Sequence, residues 1–176
     1  MTPNGIRYTV FETSWGHFGF AYTGDRVCRT FLPIPQAETV REALLRSLGP
    51  VARDARFEAG LARDFQARIA AYFEGENVDF STDPAVDLSG RGPFERMILE
   101  ACRQIPAGET RTYTALAEGV GRHHAARAVG NAMAGNPVPL IVPCHRVVAA
   151  GGRLGGFGGR PELKRALLAL EGRDFA

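Results

Sequence analysis

Lysine is almost missing from this 176-residue chain: of 21 basic residues only Lys164 is not an arginine. That imbalance reads as a base-composition bias and not as a demand for arginine chemistry. Cysteine is scarce too, with Cys28, Cys102 and Cys144 alone and no CxxC pair among them. The spacing excludes a zinc ribbon, the odd number excludes a closed disulfide framework, and both fit a reducing compartment. The first residues lack the apolar stretch of a signal peptide, and no run approaches membrane-spanning length. A cytoplasmic protein is expected, nuclear in a eukaryote. The glycine-rich stretch 151–159 lacks the Gly-Lys-Ser/Thr ending of a phosphate loop, which excludes a nucleotide cradle of that kind.

What remains is an ordinary globular composition, 45% apolar and 23% charged, in a length that allows one domain or two small ones. The net charge of +2 hides a division: residues 1–90 hold 9 basic and 12 acidic side chains, residues 91–176 hold 12 and 7. An acidic half of −3 is thus joined to a basic half of +5. The basic half suits a polyanion, although +5 alone is a weak sign of nucleic acid.

In the first half, residues 8–11, 18–22 and 27–31 are β-prone runs separated by Gly16 and Gly24-Asp25, which predicts an antiparallel meander. Residues 36–48 place Val40, Ala43, Leu44 and Leu48 on one helical face before Gly49-Pro50. Residues 57–73 repeat the pattern through Leu61, Phe65, Ile69 and Phe73. Residues 77–92 are polar and turn-rich around Pro84 and predict a linker. The expected division is 1–88, a sheet-and-helix scaffold with its linker, and 89–176.

Pro93 opens a helix over 94–104 whose stripe holds Ile98, Cys102 and Ile105, so Cys102 is expected in the core; Cys28 is expected in a strand. Residues 112–118, a Gly119-Val120-Gly121 turn and the Ala- and Gly-rich residues 125–134 form a helix, turn, helix pattern. That pattern fits a DNA-binding unit or an ordinary helical hairpin. In its second helix Ala125, Ala126, Ala128, Gly130 and Ala132 leave Arg127 as the one long cation, which suits close approach to a duplex. The last helix, 161–170, is expected to bury Leu163, Leu167 and Leu170.

Chemistry concentrates in Pro143-Cys144-His145-Arg146-Val147-Val148, after the apolar run 138–142, which predicts a short buried strand. A thiol, an imidazole and a guanidinium stand side by side at its end. Cysteine attacks as the thiolate, and a neighbouring base or cation makes the thiolate available at neutral pH. Six glycines around Phe157 predict a surface loop on whose aromatic ring a flat ligand could stack, or a flexible connection. The residues alone allow a nucleophile, an idle buried thiol in a DNA-binding regulator, or a cysteine hydrolase. The hydrolase lacks an evident oxyanion helix.

The series Ile105-Pro-Ala-Gly-Glu-Thr110, Tyr113, Arg127-Ala-Val-Gly130, Asn136-Pro137, Pro143-Cys-His-Arg-Val147, Gly158-Gly159, Lys164 and Leu170-Glu171-Gly172 resembles the O6-alkylguanine-DNA alkyltransferases, in order and spacing, from about Asp87 to Gly172. The resemblance implies an α+β protein: a small N-terminal antiparallel sheet with helices, ribonuclease-H-like in shape, and a C-terminal helical domain with a winged-helix-like helix-turn-helix. It implies direct, stoichiometric transfer of an alkyl group, methyl foremost, from O6-alkylguanine in double-stranded DNA, after flipping of the nucleotide. Repair of O4-alkylthymine stays open, as does a lesion-binding regulator without transfer. No cofactor and no metal are implied, and a monomer is expected, with cooperative assembly on DNA open.

By the same resemblance Cys144 is the acceptor, His145 its base through a water, Glu171 the residue orienting the imidazole, and Tyr113 the phenol that protonates the departing guanine at N3. Arg127 fills the gap left by the flipped base, while Thr112, Ala126, Ala128 and Gly130 face the DNA. Asn136 ties the recognition element to the active-site segment; the carbonyls of Cys144 and Val147 and the amide of Gly158 meet the base, and Phe157 walls its pocket. Arg146 is implied to be structural. Phe157 stands where many members carry Tyr, and His123-His124 where many have a Pro-containing turn. The zinc of some relatives depends on N-terminal ligands that Cys28 alone does not supply.

Overall fold

A computed structural model describes residues 5–175, which divide into two compact units. The first comprises residues up to Val78, with Thr82–Leu88 and Pro137–Pro139. Strands β1 (Ile6–Thr13), β2 (Gly16–Thr23) and β3 (Arg26–Ile34) form the expected meander, and the short β4 (Arg56–Phe57) joins parallel to β1, giving the order β3-β2-β1-β4. Side chains alternate across a strand, and on the central β2 this sends two different surfaces to two helices. Phe20 packs on Phe65, ring centroids 5.0 Å apart, and Phe18 on Phe73 at 6.1 Å, both on α2 (Arg63–Phe73). On the other face Gly19 leaves so little room that an added Cβ would lie 2.8 Å from the Val40 side chain on α1 (Ala37–Leu48). Tyr8, Ala21, Cys28, Leu44 and Leu48 complete that layer. Cys28 donates weakly to the Ala21 carbonyl at 3.4 Å, and burial pushes its thiol up, as befits a packing residue.

Two expectations need correction here. The helix expected over 57–73 starts only at Arg63, because Phe57 belongs to β4, 54% exposed, and Ala62 turns the chain at a left-handed φ of 48°. Leu61 is buried as the periodicity requires, but from the turn. Part of the predicted linker is fixed to β3: Val27 donates to Ala85 and Asp87 to Val27, at 2.9 and 2.8 Å.

The second unit comprises Asp79–Ser81, Ser89–Asn136 and Leu140 onward. Its first helix, α3 (Pro93–Arg103), opens on proline with the Glu95 carboxylate accepting from the Gly92 N–H at 3.4 Å, and it buries Ile98, Leu99 and Cys102. A two-residue strand β5 (Arg111–Thr112) leads into α4 (Tyr113–Gly119), and a turn leads into α5 (Ala126–Ala134). Thr112 caps α4, its Oγ1 accepting from the Ala115 N–H at 3.0 Å. Further along, β6 (Val147–Val148) pairs parallel with β5, and α6 (Pro161–Leu170) follows the glycine loop. The fold is α+β.

The apolar run 138–142 is buried but is not a strand. Prolines at 137, 139 and 143 remove the N–H groups a ladder needs, and Leu140 turns the chain at φ 79°. Instead the carbonyls of Pro137 and Pro139 accept from the Thr30 N–H and hydroxyl, at 3.1 and 2.7 Å, which places these residues in the first unit. The buried face of α6 also differs: Lys164, Leu167 and Leu168 are buried, while Leu163 and Leu170 are half-buried.

Candidate active site

The β5–β6 ladder aligns Arg111 with Val147 and Thr112 with Val148. Tyr113 follows β5 directly and opens α4, the 3-10 turn Cys144–Arg146 precedes β6, and the Tyr113 phenol lies near enough to the Cys144 thiol to be influenced by its charge. Cys144 is 7% exposed. Its N–H donates to Val142 at 2.8 Å, and Asn136 Nδ2 donates to the same carbonyl at 2.8 Å. Asn136 thus ties the end of α5 to the segment carrying the thiol. Burial pushes the Cys144 thiol up, while hydrogen bonding from Asn136 and the charge of Lys164 pull partly against it. A thiol held protonated needs a base.

His145 supplies a candidate. Burial lowers its basicity, against the pull of Glu171, so it is held neutral. Its Nε2 lies 2.8 Å from Glu171 Oε1. Since a carboxylate only accepts, Nε2 carries the proton and the basic lone pair is on Nδ1. Glu171 follows α6 and is gripped from two sides: Arg146 Nε donates to Oε2 at 3.0 Å and Nη2 to Oε1 at 2.8 Å, while Nη1 donates to the Ile105 carbonyl at 2.5 Å. Burial alone would raise the Glu171 carboxyl, but the bonds from His145 and Arg146 outweigh it and hold the group well below the usual carboxylate range. With the imidazole neutral, the balancing positive charge is the Arg146 guanidinium. Arg146 thus keeps ionised the carboxylate that holds the His145 imidazole.

Burial, and to a smaller degree Cys144, raise the Tyr113 phenol, while the Gly156 backbone N–H bonded to its oxygen pulls the other way. It stays a proton donor at neutral pH. The loop presses on it: a Cβ on Gly155 would sit 2.9 Å from the phenol oxygen, at a φ of 77° that already favours glycine. Phe157 is half-buried in that loop, and Gly158 is exposed at φ 56°. Val147 is buried, and its carbonyl, expected to meet the base, accepts from Lys164 Nζ at 2.6 Å.

The other expected residues form a surface. Helix α5 buries Val129, Ala132 and Met133 and turns Arg127 and Ala128 outward; Ala126 and Gly130 are half-buried beside them, Gly130 within 3.9 Å of Tyr113 as measured to an added Cβ. Exposed His123 and His124 lie in the turn before it, His124 at φ 67°. Thr112 is engaged as the cap of α4. Lys164, which sequence reading matches to the family series without giving it a role, is fully buried on α6. Its signal was present: it shares helical spacing with Leu167 and Leu168, where an apolar residue belongs. Among the described residues no three His, Cys, Asp or Glu groups are placed to hold a metal ion, and no helix is long and apolar enough to cross a membrane.

Residues 93–173 match the family described as 6-O-methylguanine DNA methyltransferase, DNA binding domain. A methylated-DNA–protein-cysteine methyltransferase of Mycolicibacterium paratuberculosis is 48% identical over 106 residues, 60% of this chain and 62% of the relative, so that alignment spans under two thirds of the relative's length. The constitutive methylated-DNA–protein-cysteine methyltransferase of Bacillus subtilis is 34% identical over 93% of this chain and 94% of its own. Among solved structures, Mycobacterium tuberculosis OGT in complex with DNA superposes with a TM-score of 0.77 at 34% identity, covering 94% of this chain and 93% of that one. Family resemblance read from about Asp87 to Gly172 thus extends over nearly the whole length, and the chain belongs to the methylated-DNA–protein-cysteine methyltransferase family.

Proposed function

We propose that this chain repairs alkylated DNA by taking the alkyl group of O6-alkylguanine, methyl foremost, onto Cys144, once per molecule. The observation that carries this reading is a buried thiol next to a neutral imidazole whose far nitrogen is locked by an ionised glutamate. That is the nucleophile, base and orienter arrangement on which covalent catalysis depends. His145 Nδ1 takes the thiol proton through a water. The sulfur attacks the alkyl carbon in line, a carbon–sulfur bond forms and the carbon–O6 bond breaks. Its electron pair leaves with guanine, which Tyr113 protonates at N3. The thioether does not hydrolyse, so no second cycle follows.

An O6 atom in a stacked duplex is beyond the reach of a buried sulfur, so the nucleotide must first be flipped. On this reading residues 89–176 are the DNA-binding and acceptor domain and residues 1–88 its scaffold. The small outward face of α5 enters the minor groove, and Arg127 fills the vacated place in the stack. Phe157 packs on the extruded base beside Gly158.

Two variants test it. Cys144→Ser is expected to bind duplex containing O6-methylguanine as tightly as the parent protein while removing no methyl group; methyl loss with this variant contradicts the assignment. Arg127→Ala is expected to slow repair in duplex at least about tenfold more than reaction with free O6-benzylguanine, which needs no flipping. The difference corresponds to roughly 1.4 kcal/mol of barrier. Equal losses on the two substrates remove the flipping role.

A further inference from the structure

Lys164 is the chain's single lysine, and its side chain is 0% exposed. Nζ donates to the carbonyls of Val147 at 2.6 Å and Gly156 at 3.2 Å, and lies 5.9 Å from the ring centroids of both Tyr113 and Phe157. It therefore joins the strand after the Cys144 turn to the glycine loop, between two aromatic residues of the site. Burying an ammonium is costly without a counter-charge, yet among the described residues no carboxylate pairs with it. The ionisable groups facing it from the surrounding elements are the Cys144 thiol, the Cys102 thiol on α3, the Tyr113 phenol on α4 and the His145 imidazole, with Arg146 sharing their surroundings. Of these, the one that must become an anion for the proposed transfer is Cys144.

We propose that Lys164 is a positioning residue that latches the glycine loop to the active-site strand and supplies the counter-charge for the Cys144 thiolate as it forms. The proposal rests on the reading of Cys144 as the nucleophile. Two neutral carbonyls satisfy the hydrogen bonds of the ammonium but leave its charge uncompensated, so the site is prepared for an anion before one exists. Burial pulls Lys164 down to about 8, with the two thiols acting in the opposite direction, and the lysine in turn lowers Cys144. A methionine at this position would fill the same space with no charge, which separates the electrostatic role from packing.

Because there is one lysine, protein carrying lysine labelled with carbon-13 at the ε position gives one lysine resonance, and its titration reports Lys164 directly. In Cys144→Asp, which places a permanent carboxylate at that position, the midpoint is expected to rise by about half a pH unit or more. In Lys164→Met, the small population of Cys144 thiolate present at neutral pH, where the lysine of the parent protein is charged, is expected to fall about tenfold. That fall makes alkylation by iodoacetamide at neutral pH about tenfold slower. Lys164→Arg is expected to keep the alkylation rate within about threefold. Linkage makes the two effects reciprocal, so an unchanged lysine midpoint in Cys144→Asp, or an unchanged neutral-pH alkylation rate in folded Lys164→Met, overturns the proposal. The lysine titration stands if Lys164→Met fails to fold. Neither readout involves DNA, so their outcome is distinct from that of the repair assays.

Discussion

Replacing Glu171 with alanine is expected to destabilise the protein by about 3–5 kcal/mol, because it strands the buried Arg146 guanidinium without its carboxylate. The same change is expected to slow alkyl transfer at least about a hundredfold by releasing the imidazole. Denaturant midpoints and single-turnover kinetics separate the two, since the second loss persists under conditions where the variant is fully folded. The carboxylate also gives the effect a pH signature. Its folded pKa lies below the ordinary value of 4.5, so in the acid range the unfolded chain binds a proton that the folded one refuses. The stabilisation is complete above about pH 4.5 and is lost as the pH falls towards the depressed folded value. Glu171→Gln removes that slope. If the variant's stability falls with acid as steeply as the parent's, the Arg146–Glu171 pair is not the source.

The second large effect is on the leaving group. Tyr113→Phe is expected to slow transfer from duplex DNA by roughly a hundredfold to ten-thousandfold, the range for loss of a positioned general acid, with duplex affinity unchanged. The cost in stability is small, about 1 kcal/mol, since the Gly156 N–H loses one acceptor. Burial keeps the phenol protonated, so the deficit should be constant across neutral pH. An equal rate for the variant and the parent would mean that guanine departs without this proton.

Some of this is legible in the residues because the signal is local. Helical spacing locates Val40, Leu44, Ile98 and Cys102 in the cores, and the adjacency of Cys144 and His145 marks the segment on which the proposed chemistry rests. Sequence reading fails where two local signals compete. Phe57 continues a four-residue apolar spacing into a segment that β1 claims as a partner, and the apolar run 138–142 has strand composition without the N–H groups for a ladder. Long-range pairings are invisible for a different reason. No spacing rule joins Arg146 to Glu171, 25 positions away, or Lys164 to Val147. Both depend on α6 returning to the Cys144 turn. Lys164 is the instructive case: a lone charge suggests a solvated residue, although its helical spacing puts it on the buried face.

The central claim is that Cys144 is consumed. Incubating the full chain with excess duplex containing O6-methylguanine and measuring the intact mass, followed by peptide mapping, tests it most directly. The account predicts the mass of one methyl group per chain, on Cys144, with one guanine restored for each protein molecule and no change in Cys144→Ser. Restoration of several guanines per chain, or a methyl group on any other residue, would contradict it.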